Sequence, residues 1–416
     1  MSSKQKSKLN RARAKLQRKL SSGWERAVFT SPARADGTRD EEVLEGPGPL
    51  AAESESESGS ETETATETGF EAAFAALWAA AEQAAARGLV KICVVIDPRH
   101  RVEIDARHGH VKARVLDDAT VDKIMGGKDR ALRPDRSAAL LRAIGIMNAD
   151  GSISARSAKK YKQVNHFVEL CRPVWTRLLA NSRAEGPLRV VDLACGNSYL
   201  SFVLLEALRL EGQPGQLLGI DRREDVITSS RERAAQVGFG DDARFEAMDL
   251  EQLDGPALAR ALGGPADLAI SLHACDTATD YALALGIRAE LPAILCAPCC
   301  QAELARQLEA LEGEARAASA AGVVPALLDH GLMRRGLGEL LTDGLRVELL
   351  AACGYEVSVV EFVAAAHTPK NLLLRALRRP RARGLDEPET RAAIEAVAQR
   401  CAALGVRPRL LALLGG

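Results

Sequence analysis

The sequence predicts an α/β fold built around a mostly parallel sheet, and three observations carry the prediction. Strand-like apolar runs and helical stretches alternate from residue 188 to 298, a spacing that implies parallel neighbours joined by right-handed crossovers. The first of these strands runs into Asp192-Leu193-Ala194-Cys195-Gly196-Asn197-Ser198, a turn with a single glycine, where a dinucleotide fingerprint needs three. The last two strand-like runs, 355–363 and 371–377, are joined by AAAHTPK. That linker is too short for a parallel crossover, so these strands are expected to pair antiparallel.

Taken in order, LRVVDLA (188–194) reads as a buried strand, followed by a helix over 199–210 and the strand QLLGID (216–221). A helix near 223–237, the strand RFEAMD (244–249), a helix near 254–262 and the strand ADLAISLHA (266–274) come next. A helix then runs to about Gly286, the strand AILCAP covers 293–298, and a long helical region covers 301–353. With the two closing strands this makes a seven-stranded, Rossmann-like sheet. Upstream, Val164, Phe167, Val168, Cys171, Trp175 and Leu178 form one apolar stripe on a helix from Ser154 to about Leu179. Phe70, Phe74, Leu77 and Trp78 fall at helical spacing with Gly88 as a C-terminal cap. VKICVVID, RVEIDAR and HVKARVLD then read as three short strands separated by turns.

The chain balances 55 Lys+Arg against 56 Asp+Glu, which excludes a globally basic nucleic-acid coat. The average hides segregation: residues 1–20 hold eight Lys/Arg and no acid, whereas 51–69 is a low-complexity acidic run. Such a run cannot bury enough apolar surface to offset its ordering entropy. The expected organisation is a disordered tail over 1–69, a small α/β domain over 70–150, the seven-stranded domain over 151–380 and a helical extension over 381–416. Aromatic residues make up 4% of the chain, too few for an extended base-stacking platform. The absence of a long uncharged apolar run argues against a membrane span. No apolar segment follows the basic N-terminus, so no secretory signal is expected. The nine cysteines are read as reduced thiols of a cytoplasmic protein.

The candidate site lies at the C-terminal edge of the sheet, where open α/β sheets bind ligands. Gly196 lets backbone approach a ligand closely. One glycine after an acidic strand end suits S-adenosylmethionine, which has no pyrophosphate to cradle. Asp221, 25 residues on, is placed to accept both ribose hydroxyls of a nucleoside; its alternative role is a helix cap. The candidate cofactor residues are therefore Asp192, Ala194, Gly196 and Asn197 in the turn, Asp221, and Asp249 with Leu250 after the third strand. For Asp249, bonding an adenine amine and capping a turn are both open.

The loop SLHACDTATDYAL (271–283) leaves the fourth strand. Methyl transfer needs an aligned nucleophile and a route for its proton. His273 and Asp276 are candidate proton acceptors and Thr277 a candidate for orienting substrate; the alternatives are a buried histidine and helix caps. The fifth strand leads into Ala297-Pro298-Cys299-Cys300-Gln301. Cys299 and Cys300 have three readings: packing residues, zinc ligands with Cys275 and His273, or a covalent nucleophile toward a pyrimidine. The adjacent pair lacks the usual C-x₂₋₄-C spacing, and no metal is assigned. His367, Lys370 and Asn371, in the turn between the closing strands, are candidate substrate contacts. Basic residues cluster at Arg156, Lys159, Lys160 and Lys162 and at Arg375, Arg378, Arg379, Arg381 and Arg383. With the N-terminal arm they could track a phosphate backbone.

VVDLACGNSYLSF, SLHACDTATDYAL, APCCQAEL, HGLMRRGLGELLTDGLRVELLAACGY and HTPKNLLLRA resemble the bacterial branch of a class I S-adenosylmethionine-dependent methyltransferase-domain family. GIMNADGSI followed by KKYKQVNHFVEL matches the same branch, and the resemblance covers roughly 120–378. The family is distantly similar to eukaryotic tRNA ribose methylases. The resemblance implies a seven-stranded methyltransferase sheet, S-adenosylmethionine at Asp192, Gly196 and Asp221, and a reaction pocket lined by His273, Asp276, Cys299 and Cys300. Two departures stand out. Ala194-Cys195-Gly196-Asn197-Ser198 replaces the Gly-Cys-Gly-Lys-Ser of many relatives, and Ala366 stands where relatives often carry Glu. The leading expectation is a methyltransferase acting on RNA, tRNA or rRNA. The alternatives are a catalytically silent RNA- or ribosome-binding module, and a methyltransferase acting on a small molecule or protein.

Overall fold

The structure is a computed structural model and describes residues 3–20, 23–34, 39–49, 61–181, 186–272, 274–361 and 371–416. The chain divides into two compact units, Met1–Lys162 and Gln163–Gly416.

The first unit contains α1 (Ser3–Gln17), β1 (Gly23–Thr30), β2 (Glu41–Pro49), α2 (Glu61–Ala86), β3 (Lys91–Val95), β4 (His100–Asp105), β5 (His110–Val115), α3 (Asp118–Met125) and α4 (Ala138–Ala143). Its strands form an antiparallel sheet in the order β2-β1-β3-β4-β5. The described residues within 1–69 thus carry α1, β1, β2 and the start of α2, where a disordered tail was expected. Leu9, Ala12, Leu16 and Leu20 recur at helical spacing and are buried in one core with Trp24, Phe29, Phe74, Leu77 and Trp78. Each fully buried leucine stabilises the unit by roughly 1.5–3 kcal/mol, which works against the ordering entropy of this charged segment. Arg11, Arg13 and Lys15 of the same helix, and Arg18 and Lys19 in the turn that follows it, are exposed. The end of the acidic run, from Glu61, begins α2, and residues 50–60 lie outside the described residues. The first unit also extends to Lys162, beyond the expected boundary at 150.

The division falls within α5 (Ala155–Asn181). The second unit continues with β6 (Leu188–Leu193), α6 (Tyr199–Leu210), β7 (Gly215–Asp221), α7 (Glu224–Gln236), β8 (Ala243–Ala247), α8 (Gly255–Leu262) and β9 (Leu268–Ser271). After these come α9 (Thr277–Arg288), β10 (Ala293–Cys296), α10 (Glu303–Glu309), α11 (Gly313–Gly322), α12 (Ala326–Asp329) and α13 (Gly331–Ala352). The unit closes with β11 (Tyr355–Glu361), β12 (Leu372–Arg378), α14 (Pro388–Ala403) and α15 (Arg409–Leu413). Among the described residues its sheet has seven strands in the order β11-β12-β10-β9-β6-β7-β8. β6 to β10 pair in parallel, and β12 runs antiparallel to both β10 and β11. This is the predicted Rossmann-like arrangement with a reversed strand next to one edge.

Strand order reverses between β6 and β9, the point at which such sheets open a crevice beyond their C-terminal ends. Gly219 in β7 makes close packing possible between β7 and β8, because a Cβ at that position would lie 2.4 Å from the Phe245 ring. The residues after 380 are not an appended extension. Ile394, Val397, Cys401, Leu410 and Leu411 share one core with Leu283, Leu345 and Leu349, so α14 and α15 complete the domain. No helix among the described residues is long and apolar enough to cross a membrane.

Candidate functional site

The turn after β6 is built from left-handed residues. Ala194, Gly196 and Ser198 have φ of 59°, 54° and 55°, a region that only glycine occupies without strain. The coil is held by Cys195 N–H donating to Ile220 O at 2.9 Å and Ser198 N–H donating to Cys195 O at 3.0 Å. Asp221, at the end of β7, accepts from Gly196 N–H on one carboxylate oxygen and from Arg223 N–H on the other, both at 3.0 Å. It thus couples the turn to the next strand. A carboxylate has about four acceptor sites, so capacity remains for a pair of hydroxyls. Asn197 is exposed in the same turn, its side-chain oxygen 3.4 Å from Tyr199 N.

Asp192 is the penultimate residue of β6 and is buried. Burial pushes its pKa up to about 7, against the bond donated by the Ser201 hydroxyl and with the charge of Asp221 adding to the rise. Its other oxygen, Oδ1, has no hydrogen-bond partner among the described residues, and such a group costs free energy until a donor reaches it. Asp249 is exposed and caps a short turn, accepting from Glu251 N–H at 3.1 Å, with Leu250 half-buried behind it.

The ends of β9 and β10 carry the second half of the site. Asp276 stitches them together: its N–H donates to Cys300 O at 2.9 Å. Its carboxylate accepts from Ala302 N–H at 3.0 Å, Glu303 N–H at 3.1 Å and the Arg306 guanidinium at 2.8 Å. Burial acts to raise its pKa, but Arg306 and these N–H groups outweigh it and hold the group below the ordinary carboxylate range. A carboxylate so engaged is a poor proton acceptor, so the geometry makes Asp276 a positioning residue. Its backbone has φ 51° and ψ −122°, a strained conformation that these contacts enforce.

Cys275 Sγ lies 3.1 Å from both Cys299 Sγ and Cys300 Sγ, which are 3.5 Å apart. Cys275 and Cys300 are exposed and Cys299 half-buried. Partial burial, then contact with Cys299 and Cys300, pushes the Cys275 thiol above its ordinary range, and burial raises Cys299 as well. A covalent nucleophile needs the opposite shift. Cys195, by contrast, is buried in its own turn, with its sulfur 3.7 Å from Gly196 O. Thr277 is half-buried at the first position of α9.

Beneath this loop lies a network that sequence reasoning missed. Arg346 of α13 is buried and makes a bidentate pair with Asp280, both bonds 2.9 Å. It also donates to Asp276 O at 2.9 Å and to Asp343 at 3.2 Å. Gln301 donates to both oxygens of Asp343. Burial works against the charge of Arg346, and Asp280 more than offsets it, so its pKa moves up. The signal available in the sequence was an Asp four residues after Asp276 and an arginine followed by the apolar end of a helix; neither names its partner.

Of the expected site residues, the structure aligns Asp192, Ala194, Gly196, Asn197, Asp221, Asp249 and Leu250 along the ends of β6, β7 and β8. It gathers Asp276, Cys299 and Cys300 at β9 and β10. Asn371 stands before β12 and donates to Glu361 at 2.9 Å. His273, His367 and Lys370, with Ala366, lie outside the described residues. The partnerless Asp192 Oδ1, the left-handed turn and the spare acceptor capacity of Asp221 fit the ammonium, backbone approach and ribose of S-adenosylmethionine. When bound, that group supplies an electrophilic methyl.

Comparison with known proteins gives partial matches. A stretch of 94 residues is 33% identical to a 2-phytyl-1,4-naphtoquinone methyltransferase of Synechococcus elongatus, covering 22% of this chain and 39% of that protein. A stretch of 65 residues is 38% identical to a protein-lysine N-methyltransferase of Schizosaccharomyces pombe, covering 15% and 27% respectively. The chain therefore spans well under half the length of either relative. Among solved structures, an S-adenosylhomocysteine-bound methyltransferase of Podospora anserina aligns at 16% identity over 63% of this chain and 97% of its own, with a TM-score of 0.35. Residues 159–307 match the model of a family described as methyltransferase domain, a segment that runs from α5 through the Gly196 turn and the three clustered thiols.

Proposed function

We propose that this protein is an S-adenosylmethionine-dependent methyltransferase. The observation that carries the reading is the pairing of the single-glycine turn with Asp221 at the switch point of a seven-stranded sheet with a reversed strand. The match of residues 159–307 to a methyltransferase domain supports it. The test is calorimetric titration with S-adenosylhomocysteine. Asp221→Ala removes at least one charge-assisted bond, worth about 1.5–3 kcal/mol, so affinity should fall about tenfold or more. No binding by the intact protein refutes the reading.

For the acceptor we favour RNA. Support comes from α1 and the turn after it, which bury their leucines and leave Arg11, Arg13, Lys15, Arg18 and Lys19 exposed, the pattern of a phosphate-tracking surface. Mass spectrometry of modified nucleosides from wild-type and deletion strains tests it, since a lost methylated nucleoside is expected. A second reading, a small-molecule or protein acceptor, is favoured by the quinone- and lysine-directed relatives. Acceptor binding that ignores salt would select it, because phosphate contacts release counterions and give a steep salt slope.

A further inference from the structure

Three thiols from two loops converge at one point, and two of the three are exposed. Exposure removes the packing explanation for Cys275 and Cys300, since a surface sulfur fills no core. We propose that Cys275, Cys299 and Cys300 form a binding site for a soft divalent cation, zinc in the first instance. Tetrahedral zinc with Zn–S bonds of about 2.3 Å needs sulfurs about 3.8 Å apart. The observed separations of 3.1, 3.1 and 3.5 Å reach that by a small opening of the loops. The missing C-x₂₋₄-C spacing is no obstacle, because the third sulfur comes from the other loop.

The scaffold is fixed before any ion arrives. Asp276 follows Cys275 directly, and its strained backbone, its N–H bond to Cys300 O and its carboxylate grip on Ala302 and Glu303 lock the two loops in register. Arg346 holds Asp276 O from below. Thiolate donors select zinc or cuprous ions over magnesium or calcium. Binding replaces the thiol protons by metal–sulfur bonds, and the protons are released to solvent. Three protein ligands leave one tetrahedral position open, as in catalytic rather than structural zinc sites. On the methyltransferase reading, and only this clause rests on it, that position takes the heteroatom of the acceptor and favours its deprotonated form.

The experiment uses the full chain purified reduced and without chelator. Metal analysis should find about one zinc per chain. Replacement by cobalt(II) should give thiolate-to-metal charge-transfer bands and the intense d–d bands of a tetrahedral site. Cys275→Ser should weaken these bands, and the triple variant C275S/C299S/C300S should lose them. Wild-type protein that takes up neither zinc nor cobalt, or a triple variant that keeps the bands, overturns the proposal. Titration of the same samples with S-adenosylhomocysteine separates the two readings. Metal without cofactor binding refutes the methyltransferase reading alone, and cofactor binding without metal refutes the site alone.

Discussion

Arg346→Met is the sharpest perturbation that the structure offers. The side chain is 1% exposed, as is its partner Asp280, and methionine keeps length and apolar volume while deleting the charge. The loss leaves the Asp280 carboxylate buried without its two 2.9 Å bonds. Breaking such a pair from one side costs about 3–5 kcal/mol, a large share of a typical stability of about 5–15 kcal/mol. Replacing both partners by apolar groups is often close to neutral, so Arg346→Met with Asp280→Leu should recover most of the loss. The assay is urea unfolding of the second unit alone, because a chain of two units need not unfold in one step. Trp175 is buried in that unit, and Trp24 and Trp78 belong to the first. Fluorescence in a Trp24→Phe, Trp78→Phe background therefore reports on the right unit. A loss below about 1 kcal/mol, or a double variant no more stable than the single, would refute the assignment of Arg346 as the anchor.

Further outcomes follow from the same geometry. Burial raises the Asp192 pKa to about 7, above its unfolded value of about 3.9, so the fold favours the neutral acid. That contribution is fully present below about pH 4 and is lost as pH rises through about 7. Urea midpoints across this window should fall in the wild type relative to Asp192→Asn and level off above it; parallel curves would show that Asp192 does not titrate in the fold. Asp276→Gly relieves the positive φ of 51° that Asp276→Ala retains, while both lose the carboxylate bonds. Glycine should therefore be the milder variant by about 1 kcal/mol, and thermal denaturation showing the reverse order removes the strain argument. Gly219→Ala drives a methyl into the Phe245 ring and should cost about 1–3 kcal/mol in the same unfolding assay; a neutral result means the ring yields freely.

The seven-stranded sheet was legible because each strand is an apolar run bounded by turn residues. β6, for example, reads LRVVDL and buries all but one of its residues. The cofactor half of the site was legible for the same reason: strand ends mark the edge, and Gly196 and Asp221 sit on them. The first 49 residues were not, because the charge around α1 masks a four-residue stripe from Leu9 to Leu20, and β2 carries three acids and ends in two glycines and two prolines. Nor was the role of Asp276. Its neighbours in sequence suggest a helix cap or a base, but its partners Ala302, Glu303 and Arg306 come from about 30 residues away. Long-range polar pairing leaves no periodic trace in a sequence.

The two halves of the edge are anchored in different ways, and that difference has consequences. The turn at Gly196 is held by backbone and by Asp221, all on β6 and β7. The thiol-bearing loops are held by charge, through Arg346, Asp280, Asp343 and Asp276. The halves meet at Ser271, whose hydroxyl donates to Leu193 O at 3.1 Å. Sites that share no partner add within about 0.5 kcal/mol. A folded Arg346→Met protein should therefore keep its S-adenosylhomocysteine affinity within about threefold while its thiols lose their register, which cobalt spectra would read directly. Asp221→Ala should do the opposite. If Arg346→Met instead weakens cofactor binding as much as Asp221→Ala does, the edge is one cooperative unit, and the division drawn from its hydrogen bonds is wrong.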